Sequence, residues 1–200
     1  MTSVASPRRR QAPRALRSVA AAALAASLAA CSDIGLATYD LSAAQPPAQQ
    51  ALRGQLRIAE PTATVDLDSD RILVRTGPQD LAVLAGAKWP GRLPAILQQR
   101  LTQSFRNAGL PLQDSSGPST PGGFVLDVDI RKFELVAARS RIEIDIAAKI
   151  VNASGGVAAA QTFAMDAPVA STAPADVSAA MNGALSAVMT QIVAFAAARI

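Results

Sequence analysis

The sequence predicts an α+β domain: a single mixed, mostly antiparallel sheet of about six strands with two helices packed on one face. Three observations carry this prediction. Phe124–Ile130 and Arg141–Ile150 alternate apolar with charged residues, the pattern of strands buried on one face and wet on the other. Two longer segments, Leu93 to Ala108 and about Pro174 to Ala198, repeat apolar residues at helical spacing. The elements also run in a definite order: three short strands, a helix, a three-strand meander and a closing helix.

The early strands are the weakest signals. Gln55–Ile58, Arg71–Arg75 and Leu81–Ala87 are short apolar runs bounded by turn residues. The first helix follows them. Leu93, Leu97, Leu101, Phe105 and Ala108 share one face, Pro94 suits the first turn and Gly109 suits the stop. Asp114–Gly123, rich in Ser, Pro and Gly, reads as a surface loop.

In the meander, Phe124, Leu126, Val128 and Ile130 face one way and Asp127 and Asp129 the other. Phe133 and Leu135 fall out of phase with Ile130, which predicts a bulge near Arg131. In the next strand Ile142, Ile144, Ile146, Ala148 and Ile150 oppose Arg141, Glu143, Asp145 and Lys149. Asn152–Gly156 is a turn and Val157–Met165 the return strand. The closing helix carries the stripe Val177, Met181, Ala184, Leu185, Val188, Ile192 and Phe195, on an alanine-rich background that favours helix and close packing.

The chain has 200 residues, a net charge of +4 and one cysteine. The charge is not spread over the fold. Arg8, Arg9, Arg10, Arg14 and Arg17 precede Cys31, and no acidic residue does. Removing those five from the 19 basic residues leaves 14 against 15 acidic ones, a net charge of −1 from Cys31 onward. A folded part that is nearly neutral gives no electrostatic basis for binding nucleic acid.

Residues 1–30 read as an export signal: a basic stretch, then the apolar run Ser18–Ala30, too short for the roughly 20 residues of a spanning helix. Leu28-Ala29-Ala30-Cys31 resembles the bacterial lipobox, which is cut before a cysteine whose sulfur takes a diacylglyceryl group. Two or more acyl chains hold a protein stably where one binds marginally, at roughly 0.8 kcal/mol per buried methylene. An ordinary signal peptide with an incidental cysteine is one alternative, and a twin-arginine signal, whose usual pattern the residues after the arginines do not match, is a weaker one. Ser32 at the position after the cysteine favours the outer membrane over the inner in enteric bacteria. Residues 31–51 then read as a lipidated N-terminus and a Pro/Gln-rich tether, centred on Ser42–Gln50, and residues 52–200 as the domain.

Catalytic chemistry is not expected. The chain has no histidine, which removes Ser-His-Asp and Cys-His arrangements and His-based metal sites. Asp66–Asp70 (DLDSD) resembles half a calcium loop, but Arg71 stands where glycine is needed and Gly77 where glutamate is needed, so it reads as a solvated turn. Asp127 and Asp129 lie on the expected wet side of a strand rather than as a paired acid. No cofactor is expected.

Several stretches together resemble a known family: the lipobox, Tyr39-Asp40-Leu41, "DRILVRTGP", "AGAKWPGRLPAILQQRLTQSF", "FVLDVDIRKFEL", "IEIDIAAKIVNASGGVAAAQTF" and the alanine-rich closing helix. Their order and spacing are similar to those of the ABC-type transport auxiliary lipoproteins, which include paraquat-inducible protein C. The resemblance implies a non-catalytic accessory lipoprotein at the periplasmic face of the envelope, the outer membrane in preference to the inner. It implies a periplasmic mammalian-cell-entry (MCE) domain protein, a permease and an ATPase as partners, and phospholipid or another hydrophobic compound as cargo. Tyr39 and Trp89, the chain's single Tyr and Trp, are the candidate interface residues, with packing of Trp89 at the start of the first helix the favoured alternative. A phospholipid-binding cleft between helices and sheet is compatible with the strand pattern, but half-buried alternation does not require one. A structural envelope lipoprotein working without a transporter is the rival reading.

Overall fold

The computed structural model describes residues 35–50, 52–113 and 122–200. Its strands are β1 (Ala37–Thr38), β2 (Leu56–Ile58), β3 (Thr62–Ala63), β4 (Arg71–Arg75), β5 (Leu81–Lys88), β6 (Phe124–Val136), β7 (Arg141–Asn152) and β8 (Val157–Pro168). Its helices are α1 (Leu93–Asn107) and α2 (Pro174–Ala197). The strands form one mixed sheet with the main order β1-β5-β4-β6-β7-β8. The long pairings, β6 with β7 and β7 with β8, are antiparallel. Along its other edge β6 is met in succession by β2, β3 and β4, all parallel to it.

The alternation in the sequence dictates the sheet's two faces. Leu126, Val128, Ile130, Ile142, Ile144, Ile146 and Ile150 are at most 2% exposed. The register shifts between Ile130 and Lys132, so Arg131 has no opposite residue. That bulge restores the phase: Phe133 and Leu135 return to the core, and Lys132 and Glu134 take the opposite face. The β7–β8 turn is held by Asn152, whose Oδ1 accepts hydrogen bonds from the N–H groups of Ser154 (3.1 Å) and Gly156 (2.8 Å). Gly155, at φ 84°, supplies the left-handed residue the turn needs.

Helix α1 begins without a side-chain cap; Pro94 lies in its first turn, and the Leu93 N–H bonds Ser69 O at 3.0 Å. It ends in a Schellman pattern: Gly109 N–H to Arg106 O at 2.9 Å and Leu110 N–H to Phe105 O at 3.0 Å, with Gly109 at φ 79°. Leu93, Leu97, Leu101 and Phe105 are buried as their spacing predicts. In α2 the predicted stripe is buried and is wider than expected, because Met189, Val193 and Ala196 are also fully enclosed. Each enclosed Leu, Ile or Met contributes about 1.5–3 kcal/mol relative to exposure. Helix α2 is long and apolar enough to cross a membrane by composition, but this stripe is spent on the sheet.

One expectation needs correction. Residues 42–50 do not form a free tether. Leu41 and Ala44 are in the core at 1% and 0% exposure. Ser42 N–H bonds Asn182 Oδ1 at 2.7 Å, and Ala44 N–H bonds Ser104 Oγ at 2.9 Å. The Asn107 side-chain amide donates to Ala44 O at 2.8 Å, and Gln49 N–H donates to Ala108 O at 3.1 Å. The compact unit therefore starts at Leu36, not at residue 52. Backbone bonding to helix groups outweighs the Pro/Gln/Ala composition that suggested a tether. The sheet also has eight strands rather than about six; β1 and β3, two residues each, are the additions.

Candidate interaction surfaces

The face of the sheet away from the helices is charged and cross-linked by ion pairs. Arg75 grips Glu134 fork to fork, Nε to Oε1 at 2.7 Å and Nη2 to Oε2 at 2.9 Å. Glu134 is 3% exposed, and its bonds hold the Arg75 guanidinium above its ordinary range. Lys132 and Arg139 both meet Glu143, the former at 3.1 Å, and Arg141 lies 3.7 Å from Asp166. Asp129 pairs with Arg131 at 3.3 Å and accepts from Thr62 Oγ1 at 3.1 Å, while Asp127 sits opposite Lys149 in the register. The two strand aspartates are thus tied into the sheet surface, not joined as an acid pair.

The acidic turn Asp66–Asp70 is likewise paired. Asp68 takes Arg92 in a bidentate contact at 2.8 and 2.9 Å, and Arg92 also reaches Glu60 at 3.0 Å. Asp70 faces both Arg71 (3.5 Å) and Lys88 (3.9 Å). Among the described residues no three His, Cys, Asp or Glu side chains converge as a metal site.

The predicted site residues fall in three different places. Trp89 is 1% exposed and stacks edge-on to Phe133, centroids 5.9 Å apart at 64°. It is a core residue, and no part of it is offered at the surface of the monomer. Tyr39 is half-buried beside the core, its N–H bonded to Lys88 O at 2.9 Å. Cys31 lies outside the described residues. The space between helices and sheet is filled: Leu97, Leu101, Phe105, Leu185, Val188 and Ile192 are all at or below 1% exposure. An open concavity of about 370 Å³ lies instead between Leu52–Gln55 and Pro111–Gln113.

Sequence reasoning missed two features. The first is the seam that binds residues 36–50 to the helices. Ser104 is its hub, fully buried, accepting from Ala44 N–H and donating to Arg100 O at 2.6 Å. Arg100 in turn bonds Asp40 at 2.6 Å. That bond, with the Leu41 N–H, holds the Asp40 carboxyl below its ordinary range against a smaller desolvation effect. A serine on the apolar side of α1 was the available signal. The second is β8 as an edge. It pairs with β7 over its length and has no strand on its other side among the described residues. Nine residues, Val157–Met165, carry no charge, and most are exposed.

Residues 39–193 match the family described as the ABC-type transport auxiliary lipoprotein component. An uncharacterized protein of Bradyrhizobium diazoefficiens is 31% identical over 162 residues, which is 78% of this chain but 43% of that protein; this chain spans less than half the length of that curated relative. The crystal structure of protein XCC0632 from Xanthomonas campestris superposes with a TM-score of 0.72 at 29% identity, covering 82% of this chain and 96% of the other. A further uncharacterized crystal structure shares the fold at a TM-score of 0.61 and 13% identity, over 78% of this chain and 99% of its own.

Proposed function

This chain belongs to the ABC-type transport auxiliary lipoprotein component family, and from that premise we propose that it is a lipid-anchored, non-catalytic adaptor of an ABC transporter with an MCE-domain partner. Cys31 carries the lipid. The domain stands at the periplasmic face of the outer membrane and docks the periplasmic MCE-domain protein. The hydrophobic cargo, phospholipid or a similar compound, passes through that partner rather than through this domain. The observation that carries the reading is the family match across 39–193, coextensive with a folded unit whose helix–sheet interior is closed to ligand. A filled interior supports holding a partner over carrying a lipid.

The docking element in this reading is β8. A long, uncharged edge strand offers a row of unpaired backbone N–H and C=O groups, the usual template for adding a strand from another chain. The test is an affinity pull-down of the lipidated protein from its own envelope after mild crosslinking, read by mass spectrometry, with Cys31→Ala as control. The expected result is an MCE-domain protein with its permease and ATPase. Recovery of only peptidoglycan-linked or outer-membrane assembly proteins would favour a structural envelope lipoprotein instead.

A further inference from the structure

The other edge of the sheet carries an apolar strip. Strand β1 covers β5 only at Ala87 and Lys88, which leaves Leu81–Gly86 without a strand neighbour on that side among the described residues. Leu81 and Val83 are 42% and 47% exposed and sit beside Arg75 and Leu73 in the register, on the face away from the helices. Leu36, 47% exposed, precedes β1; by alternation it shares the face of Thr38 and Lys88, and the register shift between the Arg71–Lys88 and Leu73–Val83 pairings brings Lys88 and Val83 to one face although they are five residues apart. Most large apolar side chains of this domain are enclosed, so three along one edge form a feature of their own.

We propose that this edge is apposed to the lipid bilayer that receives the Cys31 anchor, with Leu36, Leu81 and Val83 in contact with the headgroup region. The proposal rests on lipidation of Cys31. The length of chain decides the occupant. Leu36 is five residues from Cys31, and five residues span about 18 Å at full extension. Since residues 36–50 are bonded into the domain rather than forming a tether, they add no reach. The Leu36 end of the edge is therefore confined near the membrane surface, and Val83 and Leu81 follow along β5 within about 17 Å of it. Arg71 and Lys88, 55% and 38% exposed, flank one end of the strip and share the carboxylate of Asp70, and the exposed Asp80 stands at the other end beside Leu81, so the rim is polar and balanced in charge. Apolar side chains with a polar, charged rim suit a headgroup interface.

Lipidation blocks the chain's one thiol, so a single introduced cysteine can be labelled uniquely. Lipidated full-length Leu81→Cys, Val83→Cys and Ser154→Cys proteins, each carrying an environment-sensitive fluorophore, would be bound to phosphatidylethanolamine–phosphatidylglycerol vesicles containing a headgroup spin-labelled lipid. Ser154 is exposed in the β7–β8 turn and serves as the control. The expected result is a blue shift and a several-fold greater loss of fluorescence at positions 81 and 83 than at 154. Vesicle-bound protein with equal, weak quenching at all three positions would overturn the proposal while leaving the anchor intact. A disulfide-linked dimer of unlabelled Val83→Cys protein would assign the edge to a second copy and overturn it equally. Intact mass showing no lipid on Cys31, with the protein failing to float, would overturn both the anchor and this inference.

Discussion

Arg75 and Glu134 lie 59 positions apart in sequence yet meet through two parallel hydrogen bonds across the β4–β6 seam, the carboxylate buried and the guanidinium partly open to solvent. The β4 register of Leu73 opposite Glu134 and Arg75 opposite Val136 places them diagonally on one face. Removing the arginine leaves a buried charge without a counter-ion. Arg75→Ala should cost about 2–3 kcal/mol, somewhat less than for a fully enclosed pair because Arg75 keeps some solvent. The double variant Arg75→Met/Glu134→Leu should regain most of that loss. Urea denaturation followed by circular dichroism measures both. A loss below about 0.5 kcal/mol for Arg75→Ala, the size of an ordinary surface change, would show that the pair does not hold this seam.

The bulk of the fold is legible in the sequence because β6, β7 and both helices are long enough to show a period. Even the bulge at Arg131 is visible, as a break in phase between Ile130 and Phe133. Strands β1 and β3 are two residues each and have no period to read. They exist because a neighbour, β5 or β6, offers an open edge. The Arg75–Glu134 pair could not be foreseen, since parallel registry between β4 and β6 depends on everything folded between them. Nor could the seam at 36–50. Its composition is that of a linker, and its order comes from Asn107, Asn182 and Ser104, none of which advertises a partner. For Trp89 the sequence allows an interface role by residue type but favours packing at the start of the first helix, and its burial against Phe133 agrees with the latter.

The seam gives a direct test of where the domain begins. If Leu41 is a core residue, Leu41→Ala should destabilise the protein by about 2–4 kcal/mol, the range for truncating an enclosed leucine. If residues 31–51 were a tether, the same change would leave the urea midpoint where it was. Gln50→Ala, at an exposed position of the same stretch, should lie within about 0.5 kcal/mol of the parent and serves as the reference.

Asp40 makes the seam sensitive to acid. Its folded-state value lies below the ordinary 3.8, chiefly through the Arg100 hydrogen bond. A depressed carboxylate contributes stability in full above its unfolded value and loses it as pH falls through the folded one. Both partners are partly exposed, so the contribution is below about 1 kcal/mol at neutral pH. Asp40→Asn should therefore be slightly less stable than the parent at pH 7, and the two denaturation curves should converge as pH drops below about 4. High salt at neutral pH should narrow the same gap. A difference that persists undiminished in strong acid would mean that Asp40 acts as a neutral hydrogen-bonding group.

The β8 edge can be charged without weakening the sheet. Ala160 lies opposite Lys149 and Ala164 opposite Asp145 in the β7–β8 register, and both alanines are exposed. Ala160→Glu and Ala164→Lys would each place a new charge across from its opposite, a favourable cross-strand pair of about 0.2–1 kcal/mol. The double variant should hold the parent's stability within about 0.5 kcal/mol. Two charged side chains on a free edge nonetheless oppose strand addition by another chain. If the adaptor docks its partner through β8, crosslinked recovery of the MCE-domain protein from the envelope should fall sharply for the double variant, with lipidation and abundance unchanged. Matching substitutions at the opposite edge, Leu81→Glu and Val83→Lys, should leave that recovery in place, because that edge is assigned to the bilayer. Undiminished recovery with β8 charged would move the docking surface off this strand and onto the ion-paired face of the sheet.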